Sequence, residues 1–270
     1  MHVPVRTAII PAAGMGTRLL PLTHAVPKEL LPVWKRPVLD YAVEEALQAG
    51  IERLVVVIAP GKEALRRHFA ACGGFPQLEI AFVEQREAEG LGDAVRRAAP
   101  RGEPVAVLLP DEVLVGGNCL RQLLACRARV GGSAVAVQKV ARAEVGRYGI
   151  VDVGAAFGPE LRIKAMIEKP HPDSAPSDLA IIGRYVLDST VIDALQHARP
   201  TVKGEVQLTD SIAMTCAGAG VAAVKYHGHR FDCGSFEGLL QANVALAAQD
   251  QDAANEPGTR AGIGREANVA

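Results

Sequence analysis

Thr7-Ala-Ile-Ile-Pro11, running through Ala12 into Ala13-Gly14-Met15-Gly16-Thr17-Arg18, is the stretch that decides how the chain folds. The first five residues are short, mainly apolar and β-branched at their centre, which reads as a buried strand. The glycines that follow let the backbone turn tightly, so its amide groups can approach phosphate oxygens. Arg18 adds a planar charged fork suited to a phosphate chain. No Gly-Lys-Ser/Thr follows, so this is not a Walker loop. The third glycine of a dinucleotide fingerprint is also missing. Taken alone, the stretch can also be read as a plain glycine turn after a strand.

Reading outward, strands and helices alternate. Residues 37–48 have helical spacing, 54–59 form a β-branched run, 62–71 are helical, 77–83 extended, 90–99 helical, and 105–109 extended up to Pro110-Asp111. That alternation predicts a parallel sheet covered by helices on both faces, with ligands at the carboxyl ends of the strands. After Ser133 the strand-like runs follow one another, at 134–140, 150–153, 161–168 and 179–186. Helices are expected at 189–197 and 207–217, late strands at 221–226 and 230–232, and a last helix at 235–248 with Ser235 as its N-cap. No compositional break divides the chain. The expectation is one Rossmann-like α/β domain over residues 1–250, a mixed and mainly parallel sheet flanked by helices. Its first part ends near residue 140 and its second covers about 141–250. Residues 251–270 are rich in Asp, Asn, Gly and Arg and read as a disordered tail.

Composition excludes several classes. Twenty-nine basic residues stand against 30 acidic ones, so there is no basic surplus for a nucleic-acid partner. An anionic ligand must then be held by a few placed cations. No run reaches the ~18 apolar residues of a membrane span, and residues 1–11 lack a signal-peptide pattern. Cys72, Cys119, Cys126, Cys216 and Cys233 are scattered without a C-x-x-C pair. They read as free thiols of a reducing cytoplasm.

Three further features carry chemistry. Asp111 directly follows an apolar strand, and Asp232 lies in Arg230-Phe-Asp-Cys-Gly234 after another. Two carboxylates at strand ends can share one Mg²⁺, a hard cation that takes oxygen ligands and substrate phosphates; each alone could equally be a turn former. Glu168-Lys169-Pro170 sits at a third strand end, where the proline can aim the lysine. His227-x-His229 reads as structural or solvated rather than as a metal pair. Residue pattern alone thus gives an α/β protein for a phosphorylated ligand with Mg²⁺.

The motifs in combination say more. Gly14-Met-Gly-Thr-Arg-Leu-Leu-Pro21, Pro27-Lys-Glu-Leu-Leu-Pro32, Lys35-Arg-Pro37, Glu89-Gly-Leu-Gly92, Leu109-Pro-Asp111, Tyr148-Gly149, Glu168-Lys-Pro170, Gly204-Glu-Val-Gln-Leu-Thr-Asp210 and Phe231-Asp-Cys-Gly234 occur in order. From about residue 6 to 248 the chain closely resembles the bacterial UTP–glucose-1-phosphate uridylyltransferases. The resemblance implies a cytoplasmic, Mg²⁺-dependent homo-oligomer that makes UDP-glucose and pyrophosphate from UTP and glucose 1-phosphate. It implies that Ala13, Gly14, Gly16 and Thr17 hold the nucleotide, while Arg18 and Lys28 face its phosphates. Gln85 and Gly90 would recognise uracil, and Asp111 and Asp232 would hold Mg²⁺. Gly149, Glu168 and Glu205 would bind the sugar, and Lys169 its phosphate. The part up to about residue 140 would then be nucleotide-binding and the rest sugar-binding.

Three departures stand out. His24 replaces a usual Lys, Asp93 replaces a usual His near the base pocket, and the segment 70–84 is shorter than in relatives. The rival readings are a dTTP-using thymidylyltransferase, a catalytically silent sugar-nucleotide-binding subunit and an NAD-binding dehydrogenase. Pro27-Lys-Glu and Asp232-Cys-Gly favour UTP over dTTP. The carboxylates and Lys169 are all present, which disfavours a silent subunit. Ala59-Pro60 stands where a dehydrogenase would carry an acidic residue.

A base preference follows. The Gln85 amide can pair with N3–H and a carbonyl of uracil, Gly90 leaves room for the ring edge, and the backbone near Ala13 completes the pairing. Thymine offers the same edge, and a methyl group changes binding by only ~1–3 kcal/mol. Pyrophosphate release across four nucleotides is expected to show UTP preferred over dTTP by a leaky margin, with ATP and GTP strongly rejected. Faster turnover of dTTP would overturn the uridylyl assignment.

Overall fold

The computed structural model describes residues 3–71, 75–157, 160–201, 204–218 and 220–255. In chain order the elements are β1 (Thr7–Ala12), β2 (Pro32–Val33), β3 (Arg36–Pro37), α1 (Val38–Gln48), β4 (Arg53–Ile58), α2 (Glu63–Ala71) and β5 (Glu79–Glu84). Next come α3 (Leu91–Ala98), β6 (Val105–Leu108), β7 (Glu112–Val115), α4 (Cys119–Val130), β8 (Ser133–Lys139), β9 (Gly149–Phe157) and β10 (Glu160–Glu168). The chain continues with β11 (Leu179–Leu187), α5 (Ser189–His197), α6 (Leu208–Ala213), β12 (Val221–Lys225), β13 (His229–Asp232) and α7 (Phe236–Asn255).

Period-two alternation puts the residues of β1 on opposite faces of one sheet. Ala8, Ile10 and Ala12 pack under α1, α2 and α4, against Leu39, Val43, Leu65, Phe69, Leu120 and Leu123. Ile9 faces the other way, toward Val95 of α3, Val191 and Leu195 of α5 and Leu208 and Ile212 of α6. Both faces are therefore covered, which is why the strands read as almost unbroken apolar runs.

The sheet has nine strands in the order β5-β4-β1-β6-β11-β8-β12-β10-β9. The first four are parallel, as expected for the first part of the chain. The second half is mixed. β11 enters the middle antiparallel to both β6 and β8, while β12 runs parallel to β8. β9 pairs with β10 and also touches back on β11, where Ala180 stands opposite Ile150. The sheet therefore curls, and brings the start of β9 and the end of β10 toward its own centre.

Four elements are not among those expected from the sequence: α4, β7 and the two-residue strands β2 and β3. α4 carries usable signals: the Asn118 side chain accepts from the Arg121 N–H at 2.8 Å, and Gly131 closes the helix. β7 is only four residues long and pairs outside the main sheet, with β13. The last helix begins as expected, since the Ser235 hydroxyl accepts from the Gly238 N–H at 3.2 Å. It runs to Asn255, past the expected boundary at 250, and residues 256–270 lie outside the described residues. Cys119, Cys126, Cys216 and Cys233 are free and buried, while Cys72 lies outside the described residues. Among the described residues no helix is long and apolar enough to cross a membrane.

One buried network fixes the sheet centre to the turn after β6. Arg184 of β11 has no exposed surface. Its guanidinium donates to Glu45 Oε2 of α1 at 2.8 Å and to the carbonyls of Leu109 (3.0 Å), Gly183 (3.1 Å) and Glu112 (2.8 Å). The second Glu45 oxygen accepts the Leu120 N–H. Removing one partner of such a pair leaves a buried charge and several bare carbonyls. Arg184→Met is expected to lower the unfolding free energy by about 3–5 kcal/mol in urea titrations. A loss below about 1 kcal/mol, the size of an exposed pair, would show that the network does not stabilise the fold.

Candidate active site

Asp111 sits in the turn between β6 and β7, and Asp232 ends β13. Because β13 runs antiparallel to β7 with Asp232 opposite Glu112, the two aspartates become neighbours. The Cys233 N–H donates to the Asp111 carbonyl at 2.8 Å and ties the segments together. A β-carbon added at Gly234 would stand 3.0 Å from a carboxylate oxygen of each aspartate and 2.6 Å from Arg18 Nη2. The two oxygens thus lie within about twice that 3.0 Å of one another, and a side chain at 234 would push the ends of Arg18 and the aspartates aside.

Two anions so close must be compensated. Lys28 Nζ donates to Asp111 Oδ2 at 2.5 Å. Arg147 Nη2 and Arg18 Nη1 donate to Asp232 Oδ2 at 2.9 and 3.4 Å. Burial pushes the Asp111 carboxyl up, but attraction to Lys28 and its hydrogen bond outweigh this and leave it below the ordinary range. Burial likewise pushes Lys28 down, and Asp111 and Glu29 more than restore it. Glu112, beside them, is held up at about 8 by burial, although Arg230 lies 3.2 Å away.

The glycine loop is anchored from below. Glu29 is completely buried, and both its oxygens accept from Lys62 Nζ at 2.9 Å. The same ammonium donates to the carbonyls of Ala12 (2.7 Å) and Gly14 (2.6 Å), so it fixes the path of the loop. Burial raises Glu29 and lowers Lys62. Gly16 and Thr17 are the two expected site residues that do not line the cleft. Gly16, at φ 67°, starts the helical turn Thr17–Leu19, and its carbonyl accepts from the Thr23 hydroxyl. These residues shape the loop; Ala13 and Gly14 face the space.

Gln85, just beyond β5, is buried on the opposite wall. Its Nε2 donates to the Gly90 carbonyl at 3.0 Å and to Asp93 Oδ2 at 2.9 Å. Both donors are used, so the expected second bond from this amide to a uracil carbonyl is not available, and only its own carbonyl is left. Gly90, at φ 93°, lies against the 205–206 segment, and an added β-carbon would stand 2.8 Å from the Val206 carbonyl.

The curled half of the sheet supplies the remaining wall. Glu168 ends β10 opposite Gly149 of β9. The Thr209 hydroxyl donates to Glu168 Oε2 at 2.6 Å and fixes it. Lys169 takes a left-handed backbone, φ 47°, a conformation costing about 1–2 kcal/mol for a non-glycine residue. Its N–H is held by the Tyr148 carbonyl and its Nζ lies 3.5 Å from Glu168. Glu205 accepts from the Gln207 amide at 2.9 Å.

All of this encloses one cleft of about 690 Å³. Ala13, Gly14, Arg18, Lys28, Gln85, Gly90, Asp111, Gly149, Glu168, Lys169, Glu205 and Asp232 all line it. Sequence reasoning missed Arg147, Glu112, Tyr148 and Thr209 in the lining, and Lys62 beneath it. Arg147 directly precedes the Tyr148-Gly149 motif, which was the available signal. Lys62 had none, since a lysine at a helix start reads as solvated. His24, His227 and His229 are exposed and line no part of the cleft.

Comparison with known proteins identifies the family and the fold. The nucleotidyl transferase family model matches residues 7–249. The UTP–glucose-1-phosphate uridylyltransferase of Pseudomonas aeruginosa is 37% identical over 263 residues, 88% of this chain and 94% of that one. That of Komagataeibacter xylinus is 38% identical, over 87% and 91%. The chain belongs to the UTP–glucose-1-phosphate uridylyltransferase family. Among solved structures, a UDP-glucose pyrophosphorylase complexed with UDP-glucose superposes with a TM-score of 0.84 at 33% identity, over 91% of this chain and 99% of that one. A UTP-bound UGPase of Acinetobacter baumannii gives 0.78 at 30%, over 93% and 99%. The uridylyltransferase fold is therefore present over nearly its whole length.

The Lys28–Asp111 pair makes stability depend on pH. Asp111 titrates below its ordinary 3.8, so its contribution is present above that value and is lost as pH falls through the lowered one. Lys28 titrates above its ordinary 10.5, so its contribution is present below that value and is lost as pH rises through the raised one. Asp111→Asn is expected to make the fall in melting temperature between about pH 5 and 2 shallower than in the parent. An equally steep acid limb would show that the pair does not stabilise the fold.

Proposed function

We propose that the protein transfers the uridylyl group of UTP to glucose 1-phosphate, releasing pyrophosphate and forming UDP-glucose. The observation that carries this reading is the convergence of Arg18, Lys28, Arg147 and Lys169 on one cleft that also holds two adjacent carboxylates. Gln85 stands at one end of it and Glu168 at the other. Two anionic substrates can meet only where their charge is cancelled, and four cations do this in an otherwise nearly neutral protein. The relatives' names supply the nucleotide and the sugar.

Asp111 and Asp232 suit a divalent cation: they are close, they face the cleft, and they are carboxylates. Among the described residues no third His, Cys, Asp or Glu completes a cage, so phosphate and water would supply the other ligands. Mg²⁺ bound there would withdraw charge from the nucleotide phosphates. Arg18 and Lys28 orient and neutralise the triphosphate. Lys169 steers the sugar phosphate, and its backbone strain is tolerated because Tyr148 and Pro170 fix the turn. Glu168, held by Thr209, and Glu205 accept sugar hydroxyls beside the open backbone of Gly149. The attacking phosphate is already ionised, so no general base and no covalent intermediate is needed. The reaction proceeds by in-line attack on the α-phosphorus, with positioning and electrostatics supplying the rate. In this reading residues up to about 140 bind the nucleotide and 141–250 bind the sugar. The protein acts in the cytoplasm as a homo-oligomer, for which the exposed apolar stripe Phe236, Leu240 and Val244 on α7 offers a surface.

Asp111→Ala and Asp232→Ala are expected to lower Mg²⁺-dependent turnover roughly 10²-fold or more with the fold intact by circular dichroism. Near-normal turnover of either would sink the shared-metal model. Lys169→Ala is expected to raise the KM for glucose 1-phosphate and lower kcat while calorimetric UTP binding stays unchanged. Equal weakening of UTP binding would reassign that lysine.

A further inference from the structure

We propose that Asp93 is a positioning residue that locks the Gln85 amide with its carbonyl toward the base, so that the site selects uracil over cytosine. The proposal rests on the reading above that Gln85 faces the nucleotide base.

A primary amide has two N–H donors and one carbonyl acceptor. In Gln85, 5% exposed, both donors are engaged by groups that can only accept, the Gly90 carbonyl and the Asp93 carboxylate. Turning the amide over would set Oε1 against two acceptors and strand both in a buried place. Asp93 cannot move aside or give way. It is completely buried. Arg96 Nη2 donates to its Oδ1 at 2.5 Å and Arg97 Nε to its Oδ2 at 2.5 Å, and Arg97 is itself held by Glu89 at 2.7 Å. Burial alone would raise its carboxyl, but the bonds from Arg97, Gln85 and Arg96 outweigh it and keep the group ionised. The carboxylate is thus a fixed double acceptor and dictates which way the amide points.

The Gln85 carbonyl is what remains. Among the described residues no group donates to it, and Gln85 lies in the cleft wall. A lone acceptor at this place reads one feature of a pyrimidine. Uracil and thymine carry N3–H and donate to it. Cytosine carries a bare N3 whose lone pair would oppose the carbonyl's. The lock therefore separates UTP from CTP and leaves dTTP to other contacts.

The test measures kcat/KM for UTP and for CTP on the intact enzyme with saturating glucose 1-phosphate. The parent is expected to prefer UTP by roughly 10²-fold or more. Asp93→Asn keeps the shape but leaves one oxygen for three donors and adds an amino group, so the Gln85 amide is free to turn. The UTP:CTP preference is expected to fall at least tenfold, with the KM for glucose 1-phosphate unchanged. Asp93→Ser, which removes the carboxylate altogether, is run beside it and should do the same. Both substrates are measured on one preparation, so partial loss of folded protein cancels in the ratio. A purely structural role for Asp93 would lower both rates together and leave the ratio at the parent value, and that result overturns the proposal. Gln85→Ala separates the two layers. If it abolishes the preference while the Asp93 variants retain it, the lock is wrong and the base contact stands. If it too leaves the preference intact, Gln85 does not face the base, and both readings fall.

Discussion

Like charges held side by side are the constraint around which the rest of this structure is arranged. Asp111 and Asp232 come from segments more than a hundred residues apart, and their repulsion in a partly dry cleft would separate them unless the backbone forbade it. The β7–β13 ribbon forbids it, and the hydrogen bond from Cys233 to Asp111 closes the join. Lys28, Arg18 and Arg147 then cancel the charge from the open side. In the function proposed above, Arg18 and Lys28 are also the cations that face the triphosphate. A site poised in this way holds its own counter-charges until the substrate arrives, so binding exchanges one set of ion pairs for another instead of desolvating bare charges.

The supporting shell follows the same logic one layer down. Arg184 and Glu45 clamp the carbonyls on either side of Asp111, and Lys62 and Glu29 clamp those of the glycine loop. In each case a buried cation meets both a carboxylate and backbone oxygens. The carboxylate settles the charge, and the carbonyls gain direction from it. Neither pair faces the cleft, yet each fixes a loop that does. The Glu of the Pro27-Lys-Glu motif therefore has a different task from its neighbour: Lys28 reaches the site and Glu29 holds the floor beneath it.

What could be read in advance divides along physical lines. The parallel half of the sheet was legible because strands covered on both faces must be apolar throughout and stop at glycine or Pro-Asp turns. The residues at those ends, Asp111 and Gln85, were legible for the same reason. The curl that brings Glu168 and Gly149 to the centre was not, since it depends on β9 touching β11 through a single residue pair. Nor was β7, four residues whose only sheet partner comes from the far end of the chain. Arg147 adjoins the Tyr148-Gly149 motif, but its role follows only from its bond to Asp232. The direction of the Gln85 amide was beyond any sequence pattern. It depends on Asp93, a position marked beforehand only as a departure from relatives.

The parts of the chain before and after about residue 140 are also not separate bodies joined at an edge. The Val206 N–H donates to the Glu89 carbonyl at 2.7 Å, and the Gly92 N–H to the Val206 carbonyl at 2.9 Å. This exchange stitches the start of α3 to the segment that carries Glu205. An added β-carbon at Gly90 or Gly92 would meet the Val206 carbonyl at 2.8 or 2.7 Å and force the two strips apart. The Glu-Gly-Leu-Gly motif is therefore a condition for contact: two glycines allow backbone to lie on backbone. Since Gln85 is braced by the Gly90 carbonyl in the same strip, the wall that carries Gln85 and the wall that carries Glu205 share one hydrogen-bonded seam. The two parts of the chain that build the cleft are therefore held in register by backbone, independently of the side chains that face the space.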